Sequence, residues 1–125
     1  MYMTLAIALG GALGAVGRYW LTVAANQFNS SSFPLGTFLV NFLGSFLIGA
    51  CFILFLEKLH LVDTWRPLLI TGFLGAFTTF STYSLDTLLL FQQGLYNTAF
   101  LYLFSSVLVC LGAAYAGMQL TRVLL

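Results

Sequence analysis

Four long runs of apolar residues, separated by three short polar stretches, set out the plan of this chain. The first runs from about Met3 to Ala25, the second from Leu35 to Leu56, the third from Leu68 to Phe91 and the fourth from Tyr96 to about Leu120, that is 3–25, 35–56, 68–91 and 96–120. Each is close to the roughly 20 residues that a helix needs to cross the hydrocarbon core of a bilayer. The first connection carries Asn26, Gln27, Asn29 and three serines before Pro34. The second carries Glu57, Lys58, His60, Asp63 and Arg66 before Pro67, and the third is Gln92-Gln93-Gly94. The expected fold class is an all-α integral membrane protein, one domain over 1–125, with the third helix interrupted.

Composition supports the membrane reading. Of 125 residues, 61% are hydrophobic and 6% charged, which leaves too few polar groups to cover a water-soluble globule. The first run lacks a basic start and exceeds the core of a secretory signal, so it is expected to stay as a helix. A formal net charge of +1 provides no basic footprint, and nucleic acid is excluded as a partner. Cys51 and Cys110 fall inside apolar runs, where a thiol behaves as a small apolar group; no disulfide framework or cysteine metal site follows.

An even number of crossings places both termini on one side together with the charged connection. Lys58, Arg66 and Arg122 lie on that side, while Arg18, inside the first helix, leans to the other. The positive-inside bias is slight, so cytoplasmic termini and insertion in both orientations are both open. The interior of a four-helix bundle is filled by side chains, so a transport function calls for a second subunit. Small residues supply close helix contacts: Gly10, Gly14 and Arg18 recur every fourth position, beside Gly11 and Gly17, and Gly44 and Gly49 mark the second helix.

The third run differs from the rest. Thr71-Gly72-Phe73-Leu74-Gly75-Ala76-Phe77-Thr78-Thr79-Phe80-Ser81-Thr82-Tyr83-Ser84 places two glycines and six hydroxyl residues in mid-span. One reading is a continuous helix whose hydroxyls bond back to the preceding turn. The other is a break, which at membrane depth must face protein, an ion or water. Phe80 and Tyr83 share a face on a helix continuing beyond such a break. Asn41 is an isolated amide in the second helix, and Tyr102, Ser106 and Cys110 recur four apart along the fourth. Arg18 and Asp86, ionisable inside spans, are expensive unless paired or wetted. They are read either as an ion pair within one subunit or with Arg18 at the floor of an aqueous vestibule that attracts anions.

Three motifs in order, Gly10-Gly11-Ala12-Leu13-Gly14-Ala15-Val16-Gly17-Arg18-Tyr19, then Gly36-Thr37-Phe38-Leu39-Val40-Asn41-Phe42-Leu43-Gly44-Ser45, then Gly72 to Ser84, resemble the CrcB/Fluc family of small fluoride channels over essentially the whole chain. The resemblance implies passive fluoride export by an antiparallel, dual-topology homodimer in a bacterial inner membrane. It further implies a structural, untransported Na+ held by main-chain carbonyls of Gly75 and Thr78 from each of two subunits. Phe80 and Tyr83 stand where the family usually has two phenylalanines whose ring edges line the fluoride route. The Tyr83 hydroxyl could donate to fluoride, hold it too tightly, or point elsewhere. Asn41, Tyr102, Ser106 and Cys110 correspond to the family's polar track, in which the last position is usually serine. Such a track suits a small, strongly hydrated anion, whose water must be replaced by donors.

An enzyme is not expected, with one histidine, short loops and no embedded nucleophile and base. The alternative is a four-helix, dual-topology, proton-coupled multidrug exporter. That chemistry needs a buried carboxylate to exchange protons for cations, and the first helix has none.

Overall fold

The computed structural model describes residues 1–58 and 65–125; His60 and Asp63 of the charged connection lie outside the described residues. Helix α1 spans Tyr2–Gln27 and α2 spans Leu35–Ile53, the latter continued by a wider π-helical turn over Leu54–Lys58. The third crossing begins as a π-helical stretch, Arg66–Leu74, tightens into a short helix α3, Gly75–Phe77, and restarts as α4, Phe80–Gln92. Helix α5 spans Tyr96–Leu124. Four helical stretches are long and apolar enough to cross a membrane: Tyr2–Gln27, Leu35–Lys58, Arg66–Gln92 and Tyr96–Leu124. Each reaches a little beyond the sequence boundaries, because polar residues such as Asn26, Gln27 and Gln92 extend the helical ends. The chain is a multi-pass membrane protein.

Pairing follows the glycines. Helix α1 packs on the Arg66–Leu74 stretch, and α2 packs on α5. A Cβ at Gly10 would run into the Leu68 carbonyl, and one at Gly14 into the Phe73 carbonyl. On the other pair, Gly49 faces the Ala114 carbonyl and Gly117 the Phe46 carbonyl. Without a hydrophobic driving force in lipid, close backbone approach is a main source of helix association, and these four positions provide it. Gly11 has nothing within 4 Å, so the other side of α1 is open in a single chain.

The outward side chains are apolar: Leu101, Phe104, Leu108 and Leu111 stand exposed along α5, as lipid contact requires. Inside, Tyr83, Leu90, Ala99 and Tyr102 form a core cluster between α4 and α5, packed against Phe33 and Phe38. The turn between those helices uses Gly94 at φ 75°, a left-handed conformation that glycine adopts without a Cβ penalty. Glu57 and Arg122 make a two-point ion pair, 2.7 and 3.1 Å, which joins the ends of the second and fourth crossings on one side, as parallel crossings demand. Both side chains are exposed, and pairs of this kind add little stability.

Candidate functional site

The middle of the third crossing is where the helical backbone gives way. Thr78 is extended at φ −83°, ψ 157°, and Thr79 follows at φ −150°, ψ 116°. Thr79 then caps α4: its Oγ1 accepts from the Thr82 backbone N–H at 3.1 Å, a role for which threonine before a helix is well suited. Extended residues leave main-chain groups without helical partners, and burying them unpaired costs about 1–3 kcal/mol each. Asn41 meets that need from α2. Its Oδ1 accepts from the Thr79 N–H at 2.7 Å, and its Nδ2 donates to the Thr79 carbonyl at 2.9 Å.

The same contacts release two carbonyls. In a continuous helix the Thr79 N–H would serve the Gly75 carbonyl and the Thr82 N–H the Thr78 carbonyl. Here the first is turned to Asn41 and the second to Thr79 Oγ1. The Thr78 carbonyl is approached by Arg18 Nη1 at 3.5 Å. Gly75 itself is an ordinary right-handed helical residue, φ −62°, ψ −37°, and an added Cβ would meet only the Ile70 carbonyl at 3.6 Å. The expectation that this glycine serves a left-handed or tightly packed backbone therefore does not hold within one chain. The packed glycine at this level is Gly44, whose Cβ would strike the Thr78 Cγ2.

A cleft of about 310 Å³ opens beside these residues. Asn41, Thr78, Phe80, Tyr83, Ser106 and Cys110 all line it, so six candidate positions spread over three crossings meet at one place. Phe80 is 77% exposed while Tyr83 is 6% exposed, with ring centroids 5.4 Å apart. The Tyr83 hydroxyl points away from the cleft and donates to the Leu103 carbonyl at 2.8 Å, which settles its direction in favour of the third possibility. Ser106 is 5% exposed, and its Oγ has no partner among the described residues. Cys110 is a free, half-buried thiol one turn further along α5.

Two expectations require correction. Tyr102 does not share the cleft with Ser106 and Cys110. It is fully buried, edge-on to Phe33 at 5.3 Å, and its hydroxyl lies 3.2 Å from Asp86 Oδ2. Nor do Arg18 and Asp86 pair: Arg18 reaches toward the Thr78 carbonyl, Asp86 takes the Tyr102 hydroxyl, and the ion pair found among the described residues is Arg122–Glu57. Matching depth in the bilayer was a sound criterion but an incomplete one. Tyr102 on the neighbouring α5 is a nearer partner for Asp86.

Sequence reasoning missed Thr79 as the hub of the interruption and Ser45 as a lining residue. Thr79 followed three residues later by Thr82 is a helix-start pattern, and Ser45 lies one turn after Asn41 on α2. Both signals were present in the sequence.

Comparison with known proteins agrees with this arrangement. The family model for CrcB-like protein, Camphor Resistance (CrcB), matches residues 5–118. A "Fluoride-specific ion channel FluC" of Magnetococcus marinus is 49% identical over 118 residues, covering 94% of this chain and 96% of that protein. Proteins of the same name from Hahella chejuensis and Shewanella frigidimarina are 47% and 48% identical, with 94% and 96% of their lengths covered. A match that takes in all but the chain's extremities, with relatives close to half identical along nearly their full lengths, makes this chain a member of the CrcB family.

Proposed function

We propose that this chain is a passive, fluoride-selective channel that lowers fluoride in the cytoplasm, working as an antiparallel homodimer. Its named relatives are ion channels rather than enzymes. The observation that carries the reading is the Ser106 hydroxyl, buried, unpartnered and set in the same cleft as Asn41 and the Phe80–Tyr83 ring pair. A polar group held dry without a partner costs free energy, and a small anion accepting its hydrogen would recover it. The Asn41 amide has two N–H bonds, one committed to Thr79, so a second remains for an anion. Ring edges carry partial positive charge and attract an anion weakly, which favours passage over trapping.

The free carbonyls of Gly75 and Thr78 have the donor chemistry of a hard-cation site, and a Na+ there would supply structural charge where two copies meet. Arg18, beside the Thr78 carbonyl, is the competing source of positive charge. Its reach toward the interruption also suits an anion-attracting role better than the ion-pair one. The multidrug-exporter reading has less support, since Asp86 is engaged by Tyr102 rather than free to exchange protons.

Purified protein in liposomes loaded with potassium fluoride tests the channel reading. Fluoride is expected to appear outside within seconds of adding a potassium ionophore, with no proton gradient and negligible chloride release. Organic-cation movement driven by a proton gradient, without fluoride efflux, would move the assignment to the exporter.

A further inference from the structure

The Cys110 thiol is the feature of the cleft that the family's usual serine does not explain. Cys110 and Ser106 are one helical turn apart on α5 and line the same space, and Ser106 is 95% buried with its hydroxyl unspent. A free thiol and an orphaned hydroxyl side by side make a place where a small solute is received rather than a sealed core. The remaining wall includes Ile48, Val107 and the Phe80 ring, so a compact, uncharged molecule enters more readily than a charged one. Cys51, the other cysteine, sits on α2 and is not among the cleft's lining residues.

We propose that Cys110 is a modification site for small, uncharged, sulfur-transferring electrophiles, and that its modification closes the anion route. The second half rests on the fluoride-channel reading; the first does not. With methyl methanethiosulfonate, the Cys110 thiolate attacks the methylthio sulfur. A new S–S bond forms as the S–SO2 bond breaks, methanesulfinate leaves with the electron pair, and the thiol proton passes to water. The cysteine sulfur is oxidised and the transferred sulfur is reduced. The product removes the S–H donor and sets a methylthio group beside Ser106, in a space that a permeating ion would need.

Cys51→Ser leaves Cys110 as the sole cysteine and lies outside the cleft, so its untreated flux should match wild type. This variant, in liposomes at about pH 8.5, where an ordinary thiol is half ionised, is treated with the reagent and read in two ways. Peptide mass spectrometry should find Cys110 methylthiolated, and fluoride efflux, normalised to untreated protein, should fall at least tenfold and return with dithiothreitol. Cys110→Ser, normalised to its own untreated flux, should be insensitive. An unlabelled Cys110 would overturn the site. Complete labelling with unchanged flux, or equal inhibition of Cys110→Ser, would overturn the closure. Absence of fluoride flux from untreated wild type would overturn the channel reading, and the labelling would still decide whether Cys110 is a site.

Discussion

Asn41 grips Thr79 by both of its backbone groups, accepting from the N–H at 2.7 Å and donating to the carbonyl at 2.9 Å. An amide does here what a neighbouring strand does in a sheet: it satisfies an extended residue on one side. The lone amide in an apolar helix thus acquires a structural task alongside any role in conduction. The two tasks are compatible, because one N–H of Asn41 holds the backbone while the amide also borders the cleft.

Asn41→Asp is therefore expected to abolish fluoride flux for two additive reasons. The carboxylate still accepts from the Thr79 N–H but can no longer donate to its carbonyl, at a cost of about 1–3 kcal/mol, and it adds a charge of the same sign as the permeant ion. Flux in liposomes should fall more than a hundredfold while size-exclusion chromatography still shows a dimer. Normal flux would remove Asn41 from the route and leave the Thr79 contact unneeded.

Tyr83→Phe should conduct nearly as wild type. The hydroxyl is committed to the Leu103 carbonyl, away from the cleft, so its loss removes one hydrogen bond between α4 and α5, worth about 0.5–1.5 kcal/mol. A thermal shift to lower temperature with flux within a factor of about two is the expected pair of results. A tenfold change in flux would mean that the hydroxyl meets the ion after all.

The crossings could be seen in the sequence because lipid imposes a coarse rule, a long apolar run, that hardly depends on which residues make it. The cleft was legible for a different reason. Asn41, Phe80, Ser106 and Cys110 are either polar residues stranded in apolar runs or members of a recurring motif, and they converge because the helices that carry them are forced into contact. What the sequence hid was pairing. Asp86 had Arg18 as its only conspicuous counter-charge, yet the neutral Tyr102 hydroxyl meets it instead. Side-chain direction around a helix, rather than depth along it, decides such partnerships, and a run of apolar neighbours says little about direction. Likewise Gly75 drew attention as a glycine at the interruption, although the glycine in close contact at that level is Gly44.

The close glycines give a contrast that tests the packing. Gly14→Ala drives a methyl into the Phe73 carbonyl, a backbone atom that cannot swing aside, and overpacking of this kind costs about 1–3 kcal/mol. Gly11→Ala, three positions earlier on the open side of α1, meets nothing within its own chain. Expression and thermal stability in detergent should drop for the first variant. If Gly11→Ala alone lowers dimer content, that side of α1 is where a second copy packs.

Insertion in both orientations is expected, given that Lys58, Arg66 and Arg122 stand against Arg18 alone. A cysteine tag added at the C-terminus of a Cys51→Ser, Cys110→Ser background should react with an impermeant maleimide from both faces of native membranes, in comparable amounts. Labelling from one face only would refute an antiparallel pair.

The last prediction concerns sodium. The carbonyls of Gly75 and Thr78 have both lost their helical N–H partners, one to Asn41 and the other to the Thr79 hydroxyl. Oxygen dipoles so released attract a hard cation, and two copies related by a two-fold axis would present two pairs to one ion. Arg18 Nη1 lies 3.5 Å from the Thr78 carbonyl, so a fixed cation can satisfy part of the same demand. The two sources separate on removal of sodium. If Na+ joins the subunits, replacing it with N-methylglucamine should lower dimer stability by mass action and reduce fluoride flux, and Arg18→Lys should respond in the same way. Gly75→Val places its branched side chain in space that is open within one chain, so loss of sodium dependence in that variant would come from the partner. Thr78→Ser keeps the carbonyl and a hydroxyl able to bond the Leu74 carbonyl, and should retain the dependence. If dimer stability and flux ignore sodium while Arg18→Lys alone impairs both, the charge at the interruption belongs to Arg18 and the carbonyls need no ion.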